Sequence, residues 1–314
     1  MTFGQTPEQR RETVIARQRF MGTLKKRRPR RKGARPPAMR LPDGARVEYA
    51  RQLNALVHEL EALVAAELGA SLEELVRQNQ MGRNDALERE AGNPELERLP
   101  GDQRLDDVWD DVGAKIRRLR DSAARIFDDT RVKTLAFRIG EVVSTHNKGE
   151  VLKQLANAIT VDVFGAEPSV RRQLGVFVQD NVRLIKSIPE HALNDVEGVV
   201  LSGIRRGARA TDIAKTISDR FDVSRSKATL IARDQIGKFN GELTQLRHQE
   251  AGITEYIWRT SRDERVRKTH RERDGNHFAW ASPPADGHPG EPVQCRCTAE
   301  PVLDQFLLPE DRAS

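Results

Sequence analysis

The sequence predicts a mainly α-helical protein: a helical N-terminal and central region, a small α+β C-terminal domain, and a disordered basic arm in front. Three observations predict this. Apolar residues recur at three- and four-residue spacing through most of the chain, the spacing of one helix face. Strand-like alternation is scarce before residue 253. The N-terminal block KKRRPRRKGARPPAMR joins like charges that repel to prolines and a glycine that interrupt helix.

Charge sets the first boundary. The 314 residues carry 53 Lys and Arg against 47 Asp and Glu, a net of +6. Residues 1–46 alone hold 14 basic and 3 acidic side chains, so the remainder is net −5. The expected divisions are a basic arm over 1–46, a helical domain over 47–180, a C-terminal domain over 181–303 and a tail over 304–314. In the arm, Lys25, Lys26, Arg27, Arg28, Arg30, Arg31 and Lys32 are candidate contacts for nucleic-acid phosphates, because each such contact releases counterions. A solvated terminus without a dedicated partner is the alternative. No run approaches the ~20 apolar residues of a membrane span, and the basic N-terminus lacks the apolar core of a signal peptide, so no membrane partner is expected.

The first helix follows from Tyr49, Leu53, Leu56, Leu60, Leu63 and Val64, and is expected to end at Gly69. Ser71 with Glu74 has capping-box spacing for a short second helix. Gly82, Gly92, Pro94, Pro100 and Gly101 mark a linker. A long helix follows from Leu105, with Val108, Trp109, Val112, Ile116, Leu119, Ala123, Ile126 and Phe127 on its buried face; it continues past Ile139 or breaks near Gly140. Asn147–Gly149 reads as a turn, 151–159 as a short amphipathic piece, and 169–187 and 190–205 as helices punctuated by Pro168 and Pro189.

Residues 207–240 read as helix, turn, helix, with Asp222-Val223-Ser224 as the turn. A DNA-reading helix-turn-helix protein would place Arg225, Ser226 and Lys227 in the major groove. A helical hairpin buried in a bundle fits the same pattern.

After Gly252 the character changes. Ile253, Tyr256 and Trp258 suggest a short strand, and a polar, Pro- and Gly-rich stretch leads to Cys295-Arg296-Cys297. Ser261 and Glu264 suggest a helix start; Asp263, Arg267 and His270 would then share one face, with Asp263 and Arg267 paired, before Asp274-Gly275 turns the chain. Two thiols one residue apart suit a strained disulfide poorly and a metal or a reduced compartment better. His270, Cys295 and Cys297 are candidate zinc ligands, with His288 or His277 as the fourth. A small hydrogen-bonded core around Asp263, Arg267 and His270, with the cysteines packed as apolar groups, is the competing reading.

Five segments then resemble the phage Mu F-like minor head protein, or head-morphogenesis, family: NVRLIKSIP at 181–189, SRSKATLIARDQIGKFN at 224–240, GITEYIWRTSRDERVRKTH at 252–270, DGNHF at 274–278 and HPGEPVQCRC at 288–297. Trp258, Asp263, Arg267, Asp274 and Gly275 fall within these motifs. The resemblance implies a non-enzymatic minor capsid protein acting in head morphogenesis at the portal vertex. It implies portal and capsid proteins as partners, non-specific contact with double-stranded DNA, assembly in the host cytoplasm and a place in the virion. Some members carry Cys-x-x-Cys where this chain has Arg267 and His270, so only His270 could ligate here. A metal-dependent nuclease is the enzymatic alternative, but no HExxH, P-loop or nucleophile elbow is present.

Overall fold

The computed structural model describes residues 5–24, 35–90, 101–156 and 167–306. Six long or medium helices come first: α1 (Pro7–Leu24), α2 (Asp43–Glu90), α3 (Gly101–Ile126), α4 (Asp129–Leu155), α5 (Pro168–Arg206) and α6 (Ala210–Glu250). The C-terminal quarter adds β1 (Glu255–Arg259), a short α7 (Lys268–Arg273), β2 (His277–Ala279), β3 (Thr298–Pro301) and a 3₁₀ turn over Asp304–Phe306. The mainly α class with a small α+β end is the observed one.

The chain divides into two compact units. The second, residues 50–134 and 181–231, is all helical. It buries the α2 stripe from Leu53 through Leu60 and Val64 to Leu75, and the α3 face of Val108, Val112, Ile116, Leu119 and Ala123. The helical periodicity picks out these residues apart from Leu75, while Leu63, also expected on the face, is only half-buried. At roughly 1.5–3 kcal/mol for each large apolar side chain, such stripes supply most of the drive to fold.

Helix boundaries differ from expectation, mostly because helices run through their sequence breakers. Gly69 is exposed inside α2 and meets nothing that a side chain would strike. Ser71 does not cap; its Oγ donates back to the Glu67 carbonyl at 2.9 Å, and Glu74 pairs with Arg77 at 2.6 Å. The real break after α3 is at Asp128, whose carboxylate accepts the N–H groups of Thr130 and Arg131 at 2.9 and 3.1 Å and caps α4. Pro189 lies inside α5, and the two helices expected there are one. Of the expected linker, residues 91–100 lie outside the described residues.

The helix-turn-helix reading fails in the same way. Residues 222–224 are helical within an unbroken α6. Ser224 Oγ donates to the Arg220 carbonyl at 3.3 Å, and Arg225 is held by Glu61 at 2.5 Å and by Asp222. Without the turn there is no separate recognition helix.

The first unit, residues 1–49, 135–180 and 232–314, holds the sheet. Its strands are antiparallel in the order β2–β1–β3, with Tyr256 opposite Phe278 and Trp258 opposite Ala299. Tyr256 and Trp258 alternate inward and pack with Trp280, Cys295, Cys297 and Ala299. A second cluster joins Val14 of α1, Met39, Val151, Leu155, Ala251, Ile253 and Phe306. The arm expected over 1–46 therefore narrows: α1 and residues 35–46 contribute buried Val14, Met39 and Ala45, while the basic block from Lys25 to Lys32 lies outside the described residues.

Asn147, expected in a turn, is instead a buried hub of α4. Its Nδ2 donates to the Asn240 carbonyl and Oδ1, both at 3.0 Å, and to Thr244 Oγ1 at 2.8 Å. Its Oδ1 accepts from Arg247 at 2.6 Å, and that fully buried guanidinium also reaches Glu167 at 2.8 Å. This network is thus satisfied internally, as burial requires.

His248 differs: both ring nitrogens are buried without a hydrogen-bond partner, and the ring meets Trp280 edge-on at 5.6 Å. Burial pushes its pKa down to about 3. Between pH 6.5 and that value the unfolded chain binds a proton that the folded chain refuses, so stability falls with acidification. This group alone should remove about 2 kcal/mol between pH 7.5 and pH 5. Denaturant unfolding at both pH values should show His248→Phe losing less stability than the unaltered protein by that amount. Equal losses would contradict the assignment.

Candidate metal centre

α6 positions the site through a face of small residues. Asp234, Gly237 and Gly241 lie at i, i+3 and i+7, on one side of the helix. A Cβ on Gly241 would sit 2.5 Å from the Pro289 carbonyl oxygen, and one on Gly290 would sit 3.0 Å from the Gly237 carbonyl oxygen. Gly290 also has φ +100°, a conformation L side chains rarely adopt. The Asp234 carboxylate accepts the Gln294 N–H at 2.8 Å. The loop carrying the cysteines is therefore laid backbone-to-backbone along α6.

That docking brings Cys295 and Cys297 onto His270 of α7. His270 Nδ1 lies 3.7 Å from Cys295 Sγ and 3.4 Å from Cys297 Sγ, and all three residues are buried. Tetrahedral zinc with the usual Zn–N and Zn–S lengths separates such ligands by about 3.5 Å. The donor set, the spacing and the burial fit zinc, and the three ligand atoms lie within 4.8 Å of one another. Zinc held there would cross-link α7 to the cysteine loop, a staple for a unit with a small core.

The surroundings orient the ligands. His270 Nε2 faces Asp286 Oδ2 at 3.0 Å, which fixes the proton on Nε2 and leaves the Nδ1 lone pair aimed at the sulfurs. Asp286 also binds Arg273. Partial burial raises the Asp286 pKa, but hydrogen bonds from Arg273 and His270 outweigh it and hold the carboxyl below its usual range. The His270 ring packs edge-on against Trp258 at 5.1 Å. Cys295 is the readier thiolate: the Cys297 thiol, despite opposing burial, and then the Gly290 and Cys297 backbone N–H groups lower its pKa to about 6, and Cys297 as the donor is raised.

Not every expected residue joins. His288 is buried but faces Tyr256 Oη through Nδ1 at 2.9 Å and meets Trp280 at a tilt with ring centroids 4.8 Å apart; it is not in the cluster. His277 is exposed on β2. The helix expected to start at Ser261 begins only at Lys268, and Asp263 and Arg267 do not pair: Asp263 binds Arg296 at 2.6 Å, and Arg267 donates to the Val293 carbonyl at 2.7 Å. Asp274 accepts the Thr260 N–H at 2.9 Å, and Gly275, at φ +90°, donates to the Trp258 carbonyl at 2.9 Å, so the expected turn stands. Asp286, Gly237 and Gly241 were not singled out by the sequence, since their roles depend on pairings between distant segments.

Replacing Asp286 by Ala should weaken zinc affinity about 10–100-fold, because the histidine loses its orienting acceptor. Chelator competition on the purified protein measures this; unchanged affinity would remove Asp286 from the centre.

Parts of the chain are similar to known proteins. Residues 194–300 match the family described as phage Mu protein F like protein. A protein of Haemophilus influenzae (strain Rd), described as an uncharacterized protein, is 41% identical over 162 residues, 50% of this chain and 36% of its own length. The NAD(+)–arginine ADP-ribosyltransferase EFV of Enterococcus faecalis is 32% identical over 137 residues, 39% of this chain and 28% of its own. The chain thus spans about a third of the length of these relatives. No solved structure matches it. The match over residues 194–300 takes in all of α6, all of α7 and the whole cysteine–histidine cluster, and this part of the chain is similar to phage Mu F-like proteins.

Proposed function

We propose that the chain is a phage head-morphogenesis protein, a minor component of the capsid that acts at the portal vertex and is carried in the virion. The family match over residues 194–300 carries this reading. The folded units serve protein partners, portal and capsid subunits, and the block Lys25, Lys26, Arg27, Arg28, Arg30, Arg31 and Lys32 binds double-stranded DNA without sequence preference. No helix among the described residues is long and apolar enough to cross a membrane.

The role is structural, not catalytic. His270, Cys295 and Cys297 would hold zinc as a staple that fixes the cysteine loop. The transferase activity in one relative's name is not carried over, since the shared stretch is 28% of that protein.

Mass spectrometry of purified procapsids and virions should find this chain in low copy beside the portal protein. Absence from both would end the reading. Replacing the seven basic residues by Gln should lower the salt slope of DNA binding by about 0.9 for each phosphate that is no longer neutralised. An unchanged slope would move the DNA-binding surface elsewhere.

A further inference from the structure

Beside the cysteine–histidine cluster lies a cleft of about 260 Å³ that includes His270, Cys295 and Cys297 in its lining. Five arginines line it as well, Arg46, Arg233, Arg265, Arg267 and Arg296, against one carboxylate, Asp263. This excess of positive charge stands out in a chain whose residues after 46 are net negative.

The guanidiniums are incompletely neutralised. Arg46 has Asp43 at 3.0 Å and Arg296 has Asp263 at 2.6 Å. Arg233 donates to the neutral amide oxygen of Gln294 at 3.3 Å, and Arg267 to a backbone carbonyl. The Arg296 Nε is buried without a hydrogen-bond partner. Arg46, Arg233 and Arg296 line the same cleft, and Arg46 is held below the usual arginine range by burial, which Asp43 partly offsets, and by the nearby charges of Arg233 and Arg296. A larger neighbouring cleft of about 740 Å³ shares Ser261 and Arg296, but there Arg35 and Arg259 are already paired with Glu300 at 3.0 and 2.7 Å. The smaller cleft has the larger excess of positive charge, five arginines to one carboxylate against five to two.

We propose that this cleft is a binding site for a phosphate group, with Arg46, Arg233 and Arg296 as its principal donors and the exposed Arg265 and Arg267 completing it. Converging guanidiniums match a compact, multiply charged tetrahedral oxyanion, which accepts hydrogen bonds on several sides. The volume is below that of usual organic-ligand pockets and suits one phosphate with its water. The group belongs either to a free phosphate or to a nucleic-acid backbone; both present the same oxygens. The site does not require the metal reading, because its donors are arginines.

The test uses the full chain at low ionic strength. Calorimetric titration with inorganic phosphate, against chloride at matched ionic strength, should give saturable binding. Arg46→Gln with Arg233→Gln should weaken it about tenfold or more, the loss expected when charge-assisted hydrogen bonds are removed. Far-UV circular dichroism checks the variant's fold, and the phosphate-against-chloride comparison on the unaltered protein needs no variant. A short DNA duplex forms the second arm. If the double variant also weakens duplex binding, the site takes a backbone phosphate; if only inorganic phosphate binding falls, the ligand is a free phosphate. No saturable phosphate binding by the unaltered protein, or unchanged phosphate binding in a folded double variant, would overturn the proposal. Zinc content measured on the same samples separates this result from that of the metal centre.

Discussion

The close approach of α6 to the cysteine loop is the constraint on which the site depends. Gly241 lets the Pro289 carbonyl come nearer than any side chain would allow, Gly290 answers from the loop with a backbone that L residues rarely adopt, and Asp234 fixes Gln294. Because peptide units have little freedom once both ends of a short loop are held, Cys295 and Cys297 must then point where they do. His270 meets them from α7, and the Asp274-Gly275 turn ties α7 to the sheet through Thr260 and Trp258. Three separate segments thus converge on one buried point, and the aromatic pair Tyr256 and Trp258 forms its floor.

Much of this was legible in the amino-acid sequence, for definable reasons. Periodicity identified the buried faces of α2 and α3 because those faces are continuous and large. Two thiols with a histidine stood out because soft donors are rare in this chain. Helix limits were less legible. Gly69, Pro189 and residues 222–224 resemble breaks locally, but helices α2, α5 and α6 pass through them where packing on either side outweighs the local cost. Asn147 resembled a turn residue and is a buried hub, since its value lies in partners about a hundred residues away. Asp286 and the glycines of α6 carry no local signal at all.

The charge distribution shows the same limit. Counting along the chain assigns the positive charge to residues 1–46 and leaves the rest net negative. Folding gathers Arg46, Arg233, Arg265, Arg267 and Arg296 around one cleft although they span 250 positions in sequence. Net charge describes long-range attraction, whereas a binding site depends on which few charges share a small volume. The cleft and the basic block are therefore distinct electrostatic features, one built by folding and one by sequence.

Cobalt substitution tests the central claim, that docking of the loop on α6 is what assembles a two-sulfur, one-nitrogen centre. The unaltered protein loaded with cobalt should show thiolate charge-transfer absorption and tetrahedral d–d bands. Gly241→Val, which cannot accept the Pro289 carbonyl at its present distance, should lose both while α-helical circular dichroism persists. An identical cobalt spectrum in that variant, or no thiolate band in the unaltered protein, would contradict the account.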